Sequence, residues 1–311
     1  MSMKNPVWLL EFASKVYSQT GEDGIIEKIL DTLPEKDHWC VEFGAWDGRQ
    51  ACNSRNLIEN HQYRAVLIEG DGEKFQTLKS NYSSNTSVYP INAFVGFQQV
   101  DGLDQILKNL PVPTNFDFLS IDIDGNDYHT WQAMDIYKPK CICVEYNPTI
   151  PTEVEFVQPA DITINQGNSL LSFVKLGQSK GYELICAMQF NAFFVQKEYF
   201  PLFEIADNHP ESLRKDLSKI TYIFSTYDGG VHIRGFGGLP WHNVKMTESK
   251  IQPLPRFLRK FPPNFGAIES FLYKIYKTLV GWQGLNIKHS WTSDPGLAVK
   301  PQRHNTRNPK G

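Results

Sequence analysis

The sequence predicts an α/β fold: a doubly wound, mostly parallel seven-stranded sheet with an antiparallel edge strand, followed by a C-terminal extension. Three observations predict it. Short apolar runs such as Ala65-Val66-Leu67-Ile68 alternate with helix-spaced segments through the first two hundred residues. Four of those runs reach an acid at their carboxyl end: Glu42, Glu69, Asp122 and Glu145. The last two runs, 182–188 and 192–195, are separated only by Gln189-Phe190-Asn191, too short for a crossover, so they close as an antiparallel pair.

The polar loop Ser18-Gln19-Thr20-Gly21-Glu22-Asp23-Gly24 precedes Ile25, Ile26, Ile29, Leu30 and Leu33, which repeat at helical spacing. Capping alone accounts for Glu22 or Asp23 there. Trp39-Cys40-Val41-Glu42-Phe43-Gly44 is a buried strand entering a glycine turn, and a helix follows over 53–59. Further strands fall at 65–69, 88–95, 116–122 and 141–146, with helices at 75–81, 103–110 and 169–181. Strands joined by helices require right-handed crossovers and put helices on both faces. Ligands of such sheets bind beyond the carboxyl ends of the strands, where the winding reverses, so the four acids share one rim.

Residues 1–200 make up this first domain and 201–311 the extension. A hydrophobic fraction of 41% and an aromatic content of 13% suffice for a full core. The net charge of −3 gives no pull toward nucleic acid. Charge is unevenly placed, however: from Lys250 onward, eleven Lys and Arg face only Glu269 and Asp294. The five cysteines read as core residues, and Cys141 and Cys143 have no second pair with which to bind a metal. A reducing cytoplasm is therefore the expected setting. The apolar patch 7–10, broken by Glu11, is too short for a signal peptide or a membrane span.

In the extension Pro and Gly become frequent and periodicity fades, except for Ile268, Phe271, Leu272, Ile275 and Leu279, an apolar stripe flanked by Lys274 and Lys277. With Phe257, Phe261, Phe265, Tyr273, Tyr276 and Trp282 nearby, that stripe reads as a helix packed on its own domain or as a peripheral contact with an anionic membrane surface. Beyond Trp291 the composition reads as disordered.

Glu42-Phe43-Gly44-Ala45-Trp46-Asp47-Gly48 places two glycines after a strand, where they permit positive φ and close backbone approach. The spacing is not the G-x-G-x-x-G that cradles a pyrophosphate, which argues against a nicotinamide oxidoreductase. Glu69, ending the next strand, can accept both hydroxyls of a ribose. Turn and acid together point to a nucleoside cofactor lacking phosphates. Asp122-Ile123-Asp124-Gly125-Asn126-Asp127 is the densest acidic cluster. Asp122 and Asp124 alternate along an extended chain, and with Glu145 and Asn147 they could hold a hard divalent cation. Equally, one carboxylate could take a proton from a substrate hydroxyl, or the acids could only cap the next helix. His129 reads either as a base or as a surface histidine.

Ser18-Gln19-x-Gly21-Glu22-Asp23, the 42–48 turn followed by Asn53, Leu67-Ile68-Glu69, Asn92-Ala93, Ser120-Ile121-Asp122-Ile123-Asp124-Gly125 and Asn191-Ala192-Phe193-Phe194-Val195 together resemble the FkbM family of S-adenosylmethionine-dependent methyltransferases. The resemblance covers about residues 16 to 200, in the family's order. It implies a seven-stranded Rossmann-like fold and methylation of an oxygen on a sugar, glycan or natural product. By position, Glu42 and Gly44 would line the methionine end of the cofactor, with Gly48 and Asn53 in the same turn, Glu69 would take the ribose, Ala93 would offer its backbone to the adenine, and Asp122 would lie beneath the sulfonium. Asp122, Asp124 and His129 are the catalytic candidates. Where that family has Glu in an Asp-x-Glu-Gly motif, this chain has Asp124. The stretch Asp122-Ile-Asp-Gly-Asn-Asp-Tyr-His-Thr also looks like the acidic motif of magnesium-dependent sugar O-methyltransferases of the macrocin type, which makes Asp122, Asp124 and Glu145 candidate Mg2+ ligands. The alternatives are a cofactor-binding module without catalysis and a nitrogen methyltransferase, since Glu145-Tyr146-Asn147-Pro148 faintly resembles an Asn-Pro-Pro-Tyr motif. The resemblance says nothing of residues 201–311 or of oligomeric state.

Overall fold

The apolar runs become strands buried on both faces, and the helix-spaced segments cover them. The computed structural model describes residues 4–284, with side chains as far as Val280. In chain order the first domain runs α1 (Glu22–Thr32), β1 (Trp39–Phe43), α2 (Arg55–Asn60), β2 (Arg64–Glu69), α3 (Gly72–Asn81), β3 (Val88–Asn92), α4 (Leu103–Leu107), β4 (Phe118–Ile121), α5 (Asp127–Ala133), β5 (Cys141–Glu145), α6 (Leu170–Ser179), β6 (Tyr182–Ala187) and β7 (Asn191–Gln196). Asp71 caps α3 by accepting from the backbone N–H groups of Glu73 and Lys74, and Ser169 caps α6 through Ser172.

The sheet order is β3-β2-β1-β4-β5-β7-β6. The five strands β1 to β5 are parallel, and β7 runs antiparallel between β5 and the edge strand β6. This is the doubly wound, Rossmann-like α/β architecture, with its antiparallel strand at the expected side of the sheet. Pro90 is tolerated because β3 is an edge strand, where a missing donor leaves no ladder bond unmade. The winding reverses between β1 and β4, and both end on the same rim: the register pairs Phe43 with Ile121, and Ile121 with Val144. All five cysteines are free and buried, in keeping with their apolar surroundings in the sequence.

On the opposite rim, Lys140 Nζ meets Asp117 at 2.6 Å, and the Asp117 carboxylate also accepts from the N–H groups of Asp37 and His38. Such a pair fixes the β1–β4–β5 register, because removing either partner strands a buried charge.

The compact unit that holds the sheet extends past residue 200, to Tyr222, and takes in residues 234–245 as well. Buried Arg214, just after α7 (Pro210–Leu213), is one reason. Its guanidinium donates to the carbonyls of Pro148 and Ile150 and lies over the Tyr146 ring, tying the chain to the loop that leaves β5. Thr221 and Phe236 add backbone bonds to Thr149 and Ile220. After the hairpin of β8 (Thr221–Ser225) and β9 (Val231–Gly235), the short ribbon β10 (Gly238–Leu239) and β11 (Val244–Lys245) completes this unit.

The second unit comprises residues 223–233 and those from 246 onward. The Gln252 amide donates to the carbonyls of Val231 and Glu248, and Glu248 accepts from the Ile233 N–H. Its helix α8 (Ala267–Gly284) forms over the apolar stripe of the sequence. The region beyond Trp291, expected to be disordered, lies outside the described residues.

Candidate functional site

Strand alternation and register put Gly44, Glu69, Asp122 and Glu145 in one row at the carboxyl rim, on the same side of the sheet. One step below lies a second row: Glu42, Ser120 and Cys143. Asn53 spans it, donating to Ser120 Oγ at 3.1 Å.

Glu42 is only 3% exposed and turned beneath the rim. Its carboxylate accepts from Cys52 Sγ (3.0 Å) and from the backbone N–H groups of Asn53 (3.1 Å) and Ser54 (2.8 Å). Those N–H groups open α2, where a dinucleotide fold would seat a pyrophosphate. Here the position is already taken by an internal anion, so an incoming phosphate would meet a carboxylate. The missing G-x-G-x-x-G thus has a structural counterpart. Glu42 and Asn53, both candidates from sequence, hold the turn in place rather than facing outward.

Gly44 has φ +77°, and a Cβ on it would come within 1.6 Å of the Asp122 carbonyl oxygen. That close approach, at the point where the winding reverses, is why the position needs glycine. Gly48 (φ +70°) packs against Leu78 and Tyr82 of the α3 segment, so it shapes the turn from behind.

Glu69 is 8% exposed and ties two turns together: its oxygens accept from the N–H groups of Trp46 (2.8 Å) and Asp71 (2.7 Å). Each oxygen keeps a second lone pair for an incoming hydroxyl. Two exposed aromatics flank it. Trp46 follows the first turn, and the Phe94 ring lies against Gly70, where a Cβ would come within 2.3 Å of it. The Ala93 N–H already donates to the Glu69 carbonyl (3.2 Å), so it is not free for a base.

Across the row, ligating atoms of Asp122, Asp124 and Glu145 all lie within 4.8 Å of one another. Asp124 holds its carboxylate there from a left-handed backbone, φ +58°. Burial, then repulsion from Asp122, Asp127 and Asp124, pushes Glu145 up to about 9. Burial, then Asp127 and Asp124, likewise raises Asp122 well above the ordinary carboxylate range. At neutral pH Glu145 therefore retains its proton unless a cation neutralises the cluster. Buried Asp127 plays a different part, accepting from the N–H groups of Ile123 and Gly125 and so fixing the acidic loop.

A cavity of about 360 Å³ opens beside this cluster, lined by Asp124, Asp127, Glu145, Tyr146, Asn147, Asn165, Gln166, Gly167, Trp241 and His242. One wall is the long polar loop after β5, organised by buried Gln158. Its amide accepts from the N–H groups of Gln166 and Gly167 and donates to the Ile164 carbonyl. Asn165 and Asn168 then donate to the carbonyls of Asp124 and Gly125. His129 supports this loop: its Nε2 meets the Gln158 carbonyl at 2.8 Å and its ring packs on Phe97 and Tyr128, so it does not line the cavity. The other wall, Trp241 and His242, comes from the extension, of which the family resemblance says nothing and no part of which sequence reasoning places at the site. The one local signal is an aromatic pair after Pro240 in a Gly-rich stretch that has no core pattern to serve.

Beneath the rim, buried Glu22 accepts from the Thr20 N–H and from Asn191 Nδ2 (2.9 Å). Burial would raise this carboxyl, but a bond from the Thr20 hydroxyl, with the backbone and Asn191 bonds, outweighs it and lowers it below its ordinary value. Asp23 gathers the N–H groups of Val16, Tyr17 and Ser18 on one oxygen. The amino-terminal motif therefore builds the loop that ties α1 to the β7 end of the row.

No protein-family model matches the chain, and no curated protein matches it. Solved structures similar to it include an S-adenosylmethionine-dependent methyltransferase, a domain with S-adenosylhomocysteine bound and a carbon methyltransferase. The first is from Aquifex aeolicus (TM-score 0.36, 9% identity, 61% of this chain and 97% of that one). The N-terminal domain of EvdMO1 with S-adenosylhomocysteine bound gives a TM-score of 0.36 at 12% identity, over 57% of this chain and 80% of that one. The CurJ carbon methyltransferase gives 0.39 at 9% identity, over 60% and 58%. At these values the likeness carries no argument about activity, which rests on the site itself.

Proposed function

We propose that this chain is an S-adenosylmethionine-dependent methyltransferase acting on a hydroxyl of a sugar, glycan or natural product. The observation that carries the reading is the pairing of a phosphate-excluding nucleoside rim with an acid-lined cavity on the same row of strand ends. The rim fits the cofactor by the chemistry of its donors: Glu69 has lone pairs left for the ribose, Trp46 and Phe94 offer aromatic faces for the adenine, and the start of α2 is closed to phosphates by Glu42. The resemblance of residues 16 to 200 to the FkbM family supports the same reading. When bound, S-adenosylmethionine supplies a methyl group made electrophilic by its sulfonium.

The protein's own residues need only hold an acceptor hydroxyl in line and remove its proton. Asp122 and Asp124, where rim and cavity meet, are the candidates, and the polar cavity wall (Asn147, Asn165, Gln166) suits a hydroxylated acceptor. The raised proton affinity of Asp122 and Glu145 gives the cluster strong basicity once it is ionised. A hard divalent cation such as Mg2+ would be held by the same three carboxylates, whose ligating atoms lie within 4.8 Å of one another, and would supply a Lewis acid for deprotonating the acceptor hydroxyl. Cation and proton would compete for the site, so magnesium should bind with proton release.

The test is titration calorimetry with S-adenosylmethionine, followed by mass spectrometry of glycan and metabolite pools incubated with methyl-labelled cofactor, with and without magnesium. Micromolar cofactor binding and a mass gain of one methyl on an oxygen are expected. Absence of cofactor binding overturns the proposal, and binding without any methylated product reduces the chain to a binding module.

A further inference from the structure

The helix α8 has three distinct sides. At 3.6 residues per turn, Tyr273 and Tyr276 fall on one of them, and it packs within its own unit: the Tyr273 ring meets Phe265 at 5.4 Å and the Tyr276 hydroxyl donates to the Pro253 carbonyl. A second side carries Ser270, Lys274 and Lys277. On the third, Ile268, Phe271, Leu272, Ile275 and Leu279 share an arc of about 100°. Among the described residues that arc is only partly covered: Ile268 is 75% exposed, Phe271 and Leu279 are each 64% exposed, and Ile275 and Leu272 are 44% and 37% exposed.

A surface helix normally buries such a stripe, because exposed apolar area is unfavourable in water. We propose that this face docks in the plane of an anionic lipid surface. Charge complementarity selects that partner. From Met246 to Gly284 the chain carries six Lys and Arg against Glu248 and Glu269, and the stretch from 285 onward adds five more against Asp294. Lys274 borders the apolar arc beside Phe271, where a lysine keeps its stem in the interface and its ammonium among phosphates. An 18-residue helix is about 27 Å long. No helix among the described residues is long and apolar enough to cross a membrane, so α8 lies in the headgroup layer. Anionic headgroups would attract the basic residues near the surface, a contribution that salt removes.

The proposal does not depend on the methyltransferase reading. The experiment is co-sedimentation of the full chain with vesicles of phosphatidylglycerol and phosphatidylcholine in equal parts, and with phosphatidylcholine alone. Binding to the anionic vesicles only, weakened by salt, is expected. The double variant Phe271→Glu/Ile275→Glu should bind them about tenfold less. Both positions are exposed, so an unchanged thermal melt and far-ultraviolet circular dichroism would show that the fold is intact. Equal pelleting of variant and wild type, or no pelleting of wild type with anionic vesicles, overturns the proposal. So does a wild-type dimer in sedimentation equilibrium that the variant dissociates, since a second copy would then be the occupant.

Discussion

Replacing Glu145 by Gln should stabilise the protein at neutral pH, and by an amount that grows with pH. In the native state burial and the neighbouring acids raise this carboxyl from 4.5 to about 9, whereas in the unfolded chain it ionises near its ordinary value. Between those limits the native state holds a proton that the unfolded state has released, so stability falls as pH rises through the window and is undiminished below it. At pH 7 the cost of keeping the proton is about 2.5 units at 1.36 kcal/mol each, roughly 3 kcal/mol. Water in the adjoining cavity screens part of the repulsion, which brings the expected gain to about 1–3 kcal/mol. Gln keeps the shape of the protonated acid and removes the titration. Urea unfolding of both proteins should give nearly equal stabilities at pH 5 and a gap that widens toward pH 8. Magnesium held by Asp122, Asp124 and Glu145 would replace the protons, stabilise the wild type and narrow the gap. A gap that is the same at pH 5 and pH 8 would refute the account of the cluster.

Other perturbations probe the rest of the site. Glu69→Gln leaves one acceptor for the Trp46 and Asp71 turns but loses the charged, two-oxygen acceptor for a ribose; calorimetry should read an affinity for S-adenosylmethionine reduced about 10- to 100-fold, for a loss of about 1.4–3 kcal/mol. Gly44→Ala drives a Cβ into the Asp122 carbonyl from a φ of +77° and should cost about 3 kcal/mol or more in urea unfolding. Gly72→Ala, with nothing within 4 Å of the added carbon, should stay within about 0.5 kcal/mol of wild type. Trp241→Ala should raise the KM for acceptor and leave cofactor affinity untouched; a parallel loss of cofactor binding would count against its place on the acceptor wall.

The strands, their parallel order and the acids at their ends were legible in the sequence because each is a local pattern. Apolar runs of four to six residues dictate burial on both faces, and a strand that ends in an acid puts that acid on the rim wherever the strand lies in the sheet. The grouping of Asp122 and Asp124 with Glu145 was also within reach, since adjacent parallel strands bring equivalent ends together. What each acid does with its oxygens was not legible. Glu42 and Glu69 look alike in sequence, each an acid near a strand end with a glycine one or two residues on. One turns under the rim onto the start of α2, and the other stays at the rim, nearly buried, between two turns.

The amino-acid sequence by itself determined the layers, the winding and the rim. Periodicity and turn chemistry act over a few residues, and the handedness of crossovers leaves few ways to assemble them. Only the tertiary structure decided which donors are already spent, that His129 braces a loop instead of facing the cavity, and that Trp241 and His242 close a wall begun nearly a hundred residues earlier at Tyr146 and Asn147. Those outcomes depend on contacts between segments far apart in the chain, where long loops fold back and compete for the same hydrogen-bonding groups. No local pattern encodes that competition.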